Sequence, residues 1–403
     1  MQPDRRQFLA SAALLAGPRP PADFASIRAQ FPWAEKQLFM NPSGWHPMRP
    51  QTAEAMRRYL EFKVNGPGEG RGALATGNQD KAKAAFAELI GAGVDEISFV
   101  QSTLMGENIV RQGLGIPGND WNVVTDELHY EGSIYMYRSL EQQGLDLRIV
   151  KGKNGRVDMN DVAAAVNRKT RLVACSLISY LNGVRADIKS LAQIAHGAGA
   201  YLYADVIQAA GAVPIDVKAL DLDFCACSGY KWLMGDRGLG YLYVRRELQG
   251  KILKRLQYGD RQFSEFQYHM YPYDPPGTRP ASWKHRSGAG SLYEVGNVAN
   301  IVAAGHADSI RFILDLGVDR IQEHVKPMVD RLRKEMPRLG YPCLTPEDTP
   351  SPISAFVVEK PEKLRAKLAK RNIDAKIEWN QTRVSCSVYH NMADIDRFLN
   401  AVS

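Results

Sequence analysis

The sequence predicts an α/β protein: a large domain with a mainly parallel sheet between helices, then a smaller α+β domain. Two observations lead to this fold class. Short apolar strands alternate with helical segments between about residues 80 and 244, which is typical of crossover units in a sheet covered on both faces. A chain of 403 residues is also too long for one small core, so two domains are expected.

The elements of the large domain follow from short apolar runs and from helical spacing. The pattern predicts strands at residues 96–101, 121–125, 146–150, 171–178, 201–205, 224–227 and 240–244. It predicts helices at residues 79–90, 109–114, 132–143, 159–166 and 188–196. Residues 258–290 are rich in aromatics, Pro, Gly and charge, and are predicted to form a long loop near a site or an interface.

The C-terminal part loses this regular alternation. Helices are predicted at residues 298–316 and 321–336, strands at 353–358 and 383–388, and a last helix at 394–402. This order predicts the smaller α+β domain.

Composition excludes several classes of function. The formal net charge of +7 is modest and no basic stripe concentrates it, so nucleic-acid binding is not expected. No apolar run reaches the roughly 18 residues of a membrane-spanning helix. The five cysteines lack metal-ligand spacing, so no metal site is expected and all five are predicted to be buried thiols.

The N-terminus differs from the rest of the chain. Residues 1–20 are predicted to be a twin-arginine export signal, because Arg5 and Arg6 precede a short apolar stretch. Such a signal would carry the protein to the periplasm. The alternative is a chance arginine pair on a frayed tail of a cytoplasmic protein.

Two polar segments follow neighbouring predicted strands. Asp205 ends an apolar strand, at the sheet edge where open α/β sheets bind ligands, and Lys231 follows the next strand. A pyridoxal 5'-phosphate (PLP) ring needs an anion beside its pyridine nitrogen and a lysine that forms an imine and moves a proton. Gln208 could bond the ring's 3'-oxygen and Ser228 the phosphate. Taken alone, Asp205 could cap a helix and Lys231 could be a solvated lysine.

A family resemblance lies in the run Tyr203-Ala204-Asp205-x-x-Gln208 and in Ser228-Gly229-Tyr230-Lys231-Trp232-Leu233-Met234-Gly235. The chain resembles the class V aminotransferases, fold-type I PLP enzymes that include cysteine desulfurases, kynureninases and isopenicillin-N-epimerase-like proteins. The resemblance covers most of residues 38–403 and implies a seven-stranded-type sheet. It implies a Schiff base at Lys231, Asp205 at the pyridine nitrogen, Gln208 at the 3'-oxygen and Ser228 at the phosphate.

Further motifs resemble the family's cofactor contacts. A strand-to-helix turn resembles its phosphate cup and implies that Ser102, Thr103 and the backbone of Leu104 hold the phosphate, although these residues could simply cap a helix. Tyr130 is the expected ring stacked on PLP, with His129 as second choice. A half-buried surface aromatic is the alternative for Tyr130.

The resemblance also extends to the substrate side and to a partner subunit. Asn182 is expected to reach the ring oxygen or the substrate, with a turn-forming role as the alternative. Arg383 would clamp the substrate carboxylate, and Asn41 and Ser43 would lie at the active-site mouth. Asn297 stands where the family reaches its partner's phosphate, which implies a homodimer with shared sites.

The resemblance implies that the chain after residue 20 divides into three parts. Residues 21–45 form an N-terminal segment that packs on the small domain and the mouth of the site, residues 46–295 form the PLP-binding domain, and residues 296–403 form the small domain.

The shared residues do not select the reaction on a small amino-acid substrate, because every family member forms the same external aldimine. An aminotransferase-like enzyme is preferred, with a C–S lyase acting by β-elimination or an epimerase as alternatives. Persulfide chemistry of the desulfurase type is not expected, because residues 360–381 contain no cysteine for a mobile loop. A binding protein of the same fold without turnover is the alternative from another class.

Overall fold

The computed structural model describes residues 23–66, 70–118, 120–267 and 282–403. The predicted export signal lies outside these residues. The strands are β1 Leu38–Phe39, β2 Ile97–Val100, β3 Asn122–Asp126, β4 Asp146–Val150, β5 Gly152–Lys153, β6 Arg156–Val157, β7 Thr170–Ser176, β8 Tyr201–Asp205, β9 Phe224–Ser228, β10 Gly240–Val244, β11 Phe263–Gln267, β12 Ser282–His285, β13 Ile353–Val357, β14 Ile373–Asp374, β15 Lys376–Glu378 and β16 Gln381–Ser385.

The helices are α1 Phe24–Ala29, α2 Pro50–Val64, α3 Arg71–Leu89, α4 Thr103–Gly113, α5 Glu131–Glu141, α6 Met159–Ala165, α7 Ile188–Gly197, α8 Gly290–Tyr293, α9 Asn300–Leu316, α10 Val318–Arg338, α11 Pro361–Ala369 and α12 Met392–Val402. In the described part of the chain, none of them is both long and apolar enough to cross a bilayer.

A seven-stranded sheet lies at the centre of the molecule. Its strand order is β2-β10-β9-β8-β7-β3-β4, and β10 runs antiparallel to both of its neighbours while the paired strands from β9 to β4 are parallel. Strand β9 is buried along its whole length, as its unbroken apolar run predicts for a sheet with helices on both faces. The α/β class and the mainly parallel sheet are therefore confirmed.

Two apolar cores cover the faces of this sheet, and a third fills the C-terminal part. The third core joins helices α10 and α12 to the three-stranded sheet β13-β16-β15. It also takes in Leu38 and Met40 from the N-terminal segment, where β1 pairs in parallel with β14. The N-terminal segment thus packs against the last part of the chain.

Helix α9 belongs with the central sheet in its packing. Its residues Val302, Ile310 and Ile313 lie in the same core as strands β7 and β8. The predicted boundary at residue 296 assigned this helix to the small domain. We propose instead that the smaller domain begins near Gly317, where the chain leaves α9 and enters α10.

Two local expectations differ from the structure. Residues 258–290 were expected to be one long loop, but β11 and β12 form an antiparallel pair within them, and residues 268–281 lie outside the described part. Four cysteines are buried, whereas Cys343 is half-buried, so the prediction of five buried thiols is wrong at that position.

Candidate active site

Four parallel strands of the central sheet end in polar residues at one edge. Strands β3, β7, β8 and β9 end at Asp126, Ser176, Asp205 and Ser228, respectively. Because parallel strands place their carboxyl ends together, these side chains border one crevice. Asp205 and Ser228, two of the residues predicted to bind the cofactor, are among them.

Asp205 is a buried carboxylate at the centre of this edge. Its Oδ1 accepts a hydrogen bond from the backbone N–H of Ile207 at 2.8 Å. Burial raises the pKa of Asp205 to about 6, although the Ile207 N–H and the charges of His129 and Lys231 act in the opposite direction. A carboxylate held here is able to pair with a protonated ring nitrogen.

Lys231 lies in the tight connection from β9 to β10. Two backbone hydrogen bonds close this loop. The N–H of Gly235 donates to the carbonyl of Gly229 at 2.9 Å, and the N–H of Met234 donates to the carbonyl of Lys231 at 2.8 Å. Burial lowers the pKa of the Lys231 amine to about 8. The positive charge of Arg383 also lowers this pKa, whereas the negative charge of Asp205 raises it. An amine with this pKa is partly neutral near neutral pH and can therefore act as a nucleophile or a base.

A side chain from α9 supports this loop from behind. The ring of His306 is buried, its Nδ1 lies 3.1 Å from the Tyr241 hydroxyl, and its Nε2 lies 3.3 Å from the Asp236 carbonyl. A Cβ at Gly229 or at Gly235 would come within 2.0 Å or 2.1 Å of that ring. The two glycines of the lysine loop are thus required by close packing.

The residues predicted to form the phosphate cup lie at the start of α4. The Ser102 hydroxyl caps the helix by accepting from the Met105 N–H at 3.2 Å, and Leu104 is half-buried in the first turn. The Thr103 N–H donates to the Ser228 hydroxyl at 2.8 Å, and the Ser228 N–H donates to the Thr103 hydroxyl at 2.9 Å. The structure therefore brings these predicted residues together at a helix N-terminus, where unpaired N–H groups attract anions.

Two predicted cofactor residues use their amide groups for protein contacts. Gln208 donates to the carbonyl of Ser43 at 3.0 Å and accepts from the Trp232 indole at 2.9 Å. Asn182 donates to the carbonyl of Gly155 at 2.8 Å and accepts from the Val184 N–H at 3.1 Å. These contacts show the turn-forming alternative for Asn182, and they give no support to a ring-oxygen contact for either amide.

Tyr130 and His129 lie side by side in sequence but have different surroundings. Tyr130 is half-buried, and its ring centroid lies 5.6 Å from that of Tyr180 in an edge arrangement. Burial raises the pKa of the Tyr130 hydroxyl, and the negative charge of Asp205 contributes to this shift. His129 is buried, with Nδ1 2.9 Å from the Ser176 hydroxyl and Nε2 3.1 Å from a carboxylate oxygen of Glu107. The more accessible ring of Tyr130 is the better placed of the two to lie against a ligand.

Glu107 was not singled out from the sequence. It is fully buried on α4 and also accepts from the Ser133 hydroxyl at 2.5 Å. The signal that could have revealed it is a carboxylate on the inward face of an apolar helix, because such residues need a buried partner.

Arg383 lies on β16, and its charge acts on Lys231. One guanidinium nitrogen donates to the Tyr180 carbonyl at 2.6 Å, another is 3.5 Å from the Asn41 side-chain oxygen, and Nε is buried without a hydrogen-bond partner among the described residues. Burial lowers the pKa of Arg383 to about 10. Ser43 joins the same region through its hydroxyl, which lies 3.0 Å from that of Ser385. The predicted substrate residues are therefore assembled.

Asn297 is exposed on the loop that follows α8. It lines a surface cleft together with Gln101 and Met105, next to the first turn of α4. Its predicted contact with a partner subunit stays a prediction.

The assembled residues fit PLP on two counts and an amino-acid substrate on a third. A buried carboxylate at Asp205 suits a protonated pyridine nitrogen, and Lys231 supplies an amine of lowered pKa within the influence of that carboxylate. The hydroxyls of Thr103 and Ser228 at a helix N-terminus suit a phosphate. The unpartnered Nε of Arg383 suits the carboxylate of an amino acid.

Comparison with known proteins gives matches over most of the chain. A family model described as aminotransferase class-V matches residues 47–398. A probable cysteine desulfurase of Methanothermobacter thermautotrophicus is 30% identical over 326 residues, which cover 79% of this chain and 77% of that protein. A probable cysteine desulfurase of Pyrococcus abyssi is 25% identical over 331 residues, covering 80% of this chain and 78% of that protein.

Solved structures show the same fold. The apo structure of a cysteine desulfurase from Thermococcus onnurineus NA1 superposes with a TM-score of 0.80 at 24% identity, covering 96% of this chain and 98% of the other. A complex of the cystine C–S lyase C-DES with its product, cysteine persulfide, has a TM-score of 0.78 at 17% identity and covers 93% of this chain and 99% of the other.

Proposed function

Because the chain belongs to the class-V aminotransferase family of PLP-dependent enzymes, we propose that it is a C–S lyase acting on a sulfur-bearing amino acid. The substrate would be of the cysteine or cystine type, and the reaction a β-elimination. The observation that carries this proposal is the set Lys231, Asp205 and Arg383 around one crevice, in a chain whose thiols are buried or half-buried.

PLP, when bound, supplies an electron sink for the negative charge that develops at the substrate α-carbon. Arg383 would bind the substrate carboxylate through its planar guanidinium and thereby orient the α-carbon toward Lys231. The neutral amine of Lys231 would take the α-proton, and the resulting ammonium would donate a proton to the departing sulfur as the Cβ–S bond breaks with both electrons on sulfur. Asp205 would remain ionised beside the ring nitrogen.

The proposed products follow from the two bonds that break, Cα–H and Cβ–S. Loss of the α-proton and of the sulfur group leaves an unsaturated amino acid, which water converts to pyruvate and ammonia. Cysteine would release sulfide, and cystine would release cysteine persulfide. No redox partner is needed in either case.

The relatives favour cleavage of a C–S bond over transamination. The aminotransferase preferred from the sequence is named in the family description, but the relatives at 25–30% identity are called cysteine desulfurases. The alternative of a C–S lyase is therefore better supported than the aminotransferase, and the epimerase has no relative among these proteins to support it.

The thiols argue for free release of sulfur instead of transfer to a protein cysteine. Cys175, Cys225, Cys227 and Cys386 are at most 1% exposed. Burial raises the pKa of all four thiols, which keeps them protonated and unreactive. Cys343 is half-buried, and its thiol bonds to the Thr345 carbonyl at 3.4 Å.

The proposal is tested by supplying the purified holoenzyme with L-cystine, L-cysteine and a panel of other amino acids. Equal amounts of pyruvate and ammonia, formed without an amino acceptor, are the expected result with a sulfur substrate. Alanine as product would indicate desulfurase chemistry, and keto acid that appears only with an added acceptor would indicate transamination. Either outcome would overturn the lyase.

Two variants sharpen this experiment. Lys231→Ala should lose both the visible imine band of the cofactor and the turnover. Cys343→Ser removes the most accessible thiol and should leave pyruvate formation near the wild-type rate, because no protein persulfide is required.

The subunit arrangement is also a proposal. Asn297 at the family's inter-subunit position supports a homodimer with shared sites, and light scattering of the holoenzyme tests it. The family match begins at residue 47, and the comparisons give no support to the predicted twin-arginine signal.

A further inference from the structure

A buried polar triad neighbours the carboxylate of Asp205. It consists of Glu107 on α4, His129 before α5 and Ser176 at the end of β7. His129 is 1% exposed and both of its ring nitrogens are engaged, at 2.9 Å to the Ser176 hydroxyl and 3.1 Å to Glu107 Oε1. A carboxylate with no exposure is costly unless a cation or donors compensate it, so Glu107 requires a partner here.

The triad is joined to Asp205 by the register of the sheet. Ser176 and Asp205 are paired residues on the parallel strands β7 and β8, so their side chains leave the same face of the sheet next to each other. The Leu177 N–H donates to the Asp205 carbonyl at 2.9 Å and closes this end of the pair. The His129 ring, bonded to Ser176, is therefore held beside the carboxylate.

Three carboxylates act on the imidazole of His129. Burial alone would lower the pKa of the imidazole, but the carboxylates of Glu107, Asp126 and Asp205 outweigh burial and raise the pKa above its ordinary value. Asp205 in turn faces the charges of His129, Lys231 and Glu107. The His129 cation favours the ionised form of Asp205, and burial opposes it.

We propose that Glu107, His129 and Ser176 act as positioning residues that hold a cationic imidazole beside Asp205 and so keep this carboxylate ionised toward the PLP ring nitrogen. Glu107 provides the charge that keeps His129 protonated, and Ser176 fixes the orientation of the ring. The inference depends on Asp205 as the partner of that nitrogen, but not on the reaction that the enzyme performs.

The first test follows the His129 ring itself. Histidine labelled with ¹³C at Cε1 is titrated by NMR in the holoenzyme, and His129→Asn identifies its signal. Glu107→Gln keeps the shape of the side chain but removes the charge, so the midpoint of His129 should fall by about 1 to 3 pH units. Ser133→Ala removes a different hydrogen bond to Glu107 without changing a charge, and it should leave the midpoint near the wild-type value.

The second test asks whether Glu107 acts through Asp205. Glu107→Gln should raise the dissociation constant of PLP about tenfold near pH 7, with the loss largest near the midpoint of Asp205 titration. In an Asp205→Asn background the same change should have no further effect, because no carboxylate remains to be ionised.

Two results would overturn the proposal. One is a His129 midpoint that Glu107→Gln does not move. The other is an equal loss of PLP affinity from Glu107→Gln in both backgrounds, which would indicate a merely structural role. Loss of the imine band in Lys231→Ala tests the cofactor site separately, so failure of the site and failure of the triad are distinguishable.

Discussion

Thr103 and Ser228, which are 125 residues apart in the chain, satisfy each other's backbone N–H groups through their hydroxyls at 2.8 Å and 2.9 Å. This reciprocal pair ties the first turn of α4 to the end of β9. The helix N-terminus and the strand that leads to Lys231 are thereby fixed relative to each other.

Removal of one hydroxyl should affect both stability and cofactor binding. Ser228→Ala leaves the Thr103 N–H without its acceptor, so the free energy of unfolding should fall by about 1 to 3 kcal/mol. The phosphate would lose a donor, and the dissociation constant of PLP should rise at least about tenfold. Urea unfolding and PLP titration measure the two effects.

Asp158→Ala is the matched control for this prediction. Asp158 caps α6 by accepting from the Asn160 N–H at 2.9 Å, so its loss should also destabilise the protein, by about 0.5 to 2 kcal/mol. PLP affinity should stay unchanged. Equal PLP affinities in the two variants would contradict a phosphate role for Ser228.

Substitution of the lysine-loop glycines should disturb the fold through His306. A Cβ at Gly229 would lie 2.0 Å from the ring, so Gly229→Ala should cost about 3 kcal/mol or more. Adding His306→Ala should recover part of that loss, since the clash is then gone. Gly197→Ala is the control, because its Cβ would meet nothing within 4 Å. The denaturation midpoints of the single and double variants measure this recovery. If the double variant is no more stable than Gly229→Ala, the clash is not with His306.

The raised pKa of Asp205 predicts a pH-dependent stability of the cofactor-free protein. A carboxyl group whose pKa is about 6 in the folded protein and about 4 in the unfolded chain costs stability as pH rises through this window. Asp205→Asn should therefore be more stable than the wild type at pH 7, by roughly 3 kcal/mol, and equal to it below pH 4. Urea unfolding at a series of pH values measures this difference, and a difference that is constant with pH would be evidence against it.

Arg383 should determine the preference for a substrate carboxylate. Arg383→Gln removes the charged fork, so kcat/KM for the amino-acid substrate should fall by about 100-fold or more. PLP binding should change little. The decisive measurement compares the amino acid with its decarboxylated amine, because the variant should lose the discrimination that the wild type shows. Arg338→Gln, at an exposed pair with Glu335, is the control and should retain it.

The central sheet was predictable because its signal is local. Strands such as Tyr201–Asp205 and Gly240–Val244 are mainly apolar runs, and their predicted bounds agree with the structure. Helix α2 was not predicted, because only Thr52 is buried along it and its sequence shows little apolar periodicity. The packing of α9 against the central sheet could not be predicted either. The apolar face of an amphipathic helix shows that it is buried, but not against which domain.

Within the site, the positions at strand ends were predictable but the use of each side chain was not. Asp205 and Lys231 follow apolar strands, which is visible in the sequence. The amide of Gln208 is taken by the Ser43 carbonyl, 165 residues away, and by the Trp232 indole. The partner of Glu107 is likewise set by tertiary packing, and no local pattern specifies such contacts.

The order in which the chain is made has a consequence for the site. The turn that carries Asn41 and Ser43 emerges early from the ribosome, yet its contacts with Arg383 and Ser385 lie 342 residues later, and Phe39 is held by Tyr389 and His390. Its contact surface on the C-terminal sheet does not exist until translation is almost finished. A nascent chain can therefore bring together the residues predicted to bind the cofactor before those predicted to bind the substrate.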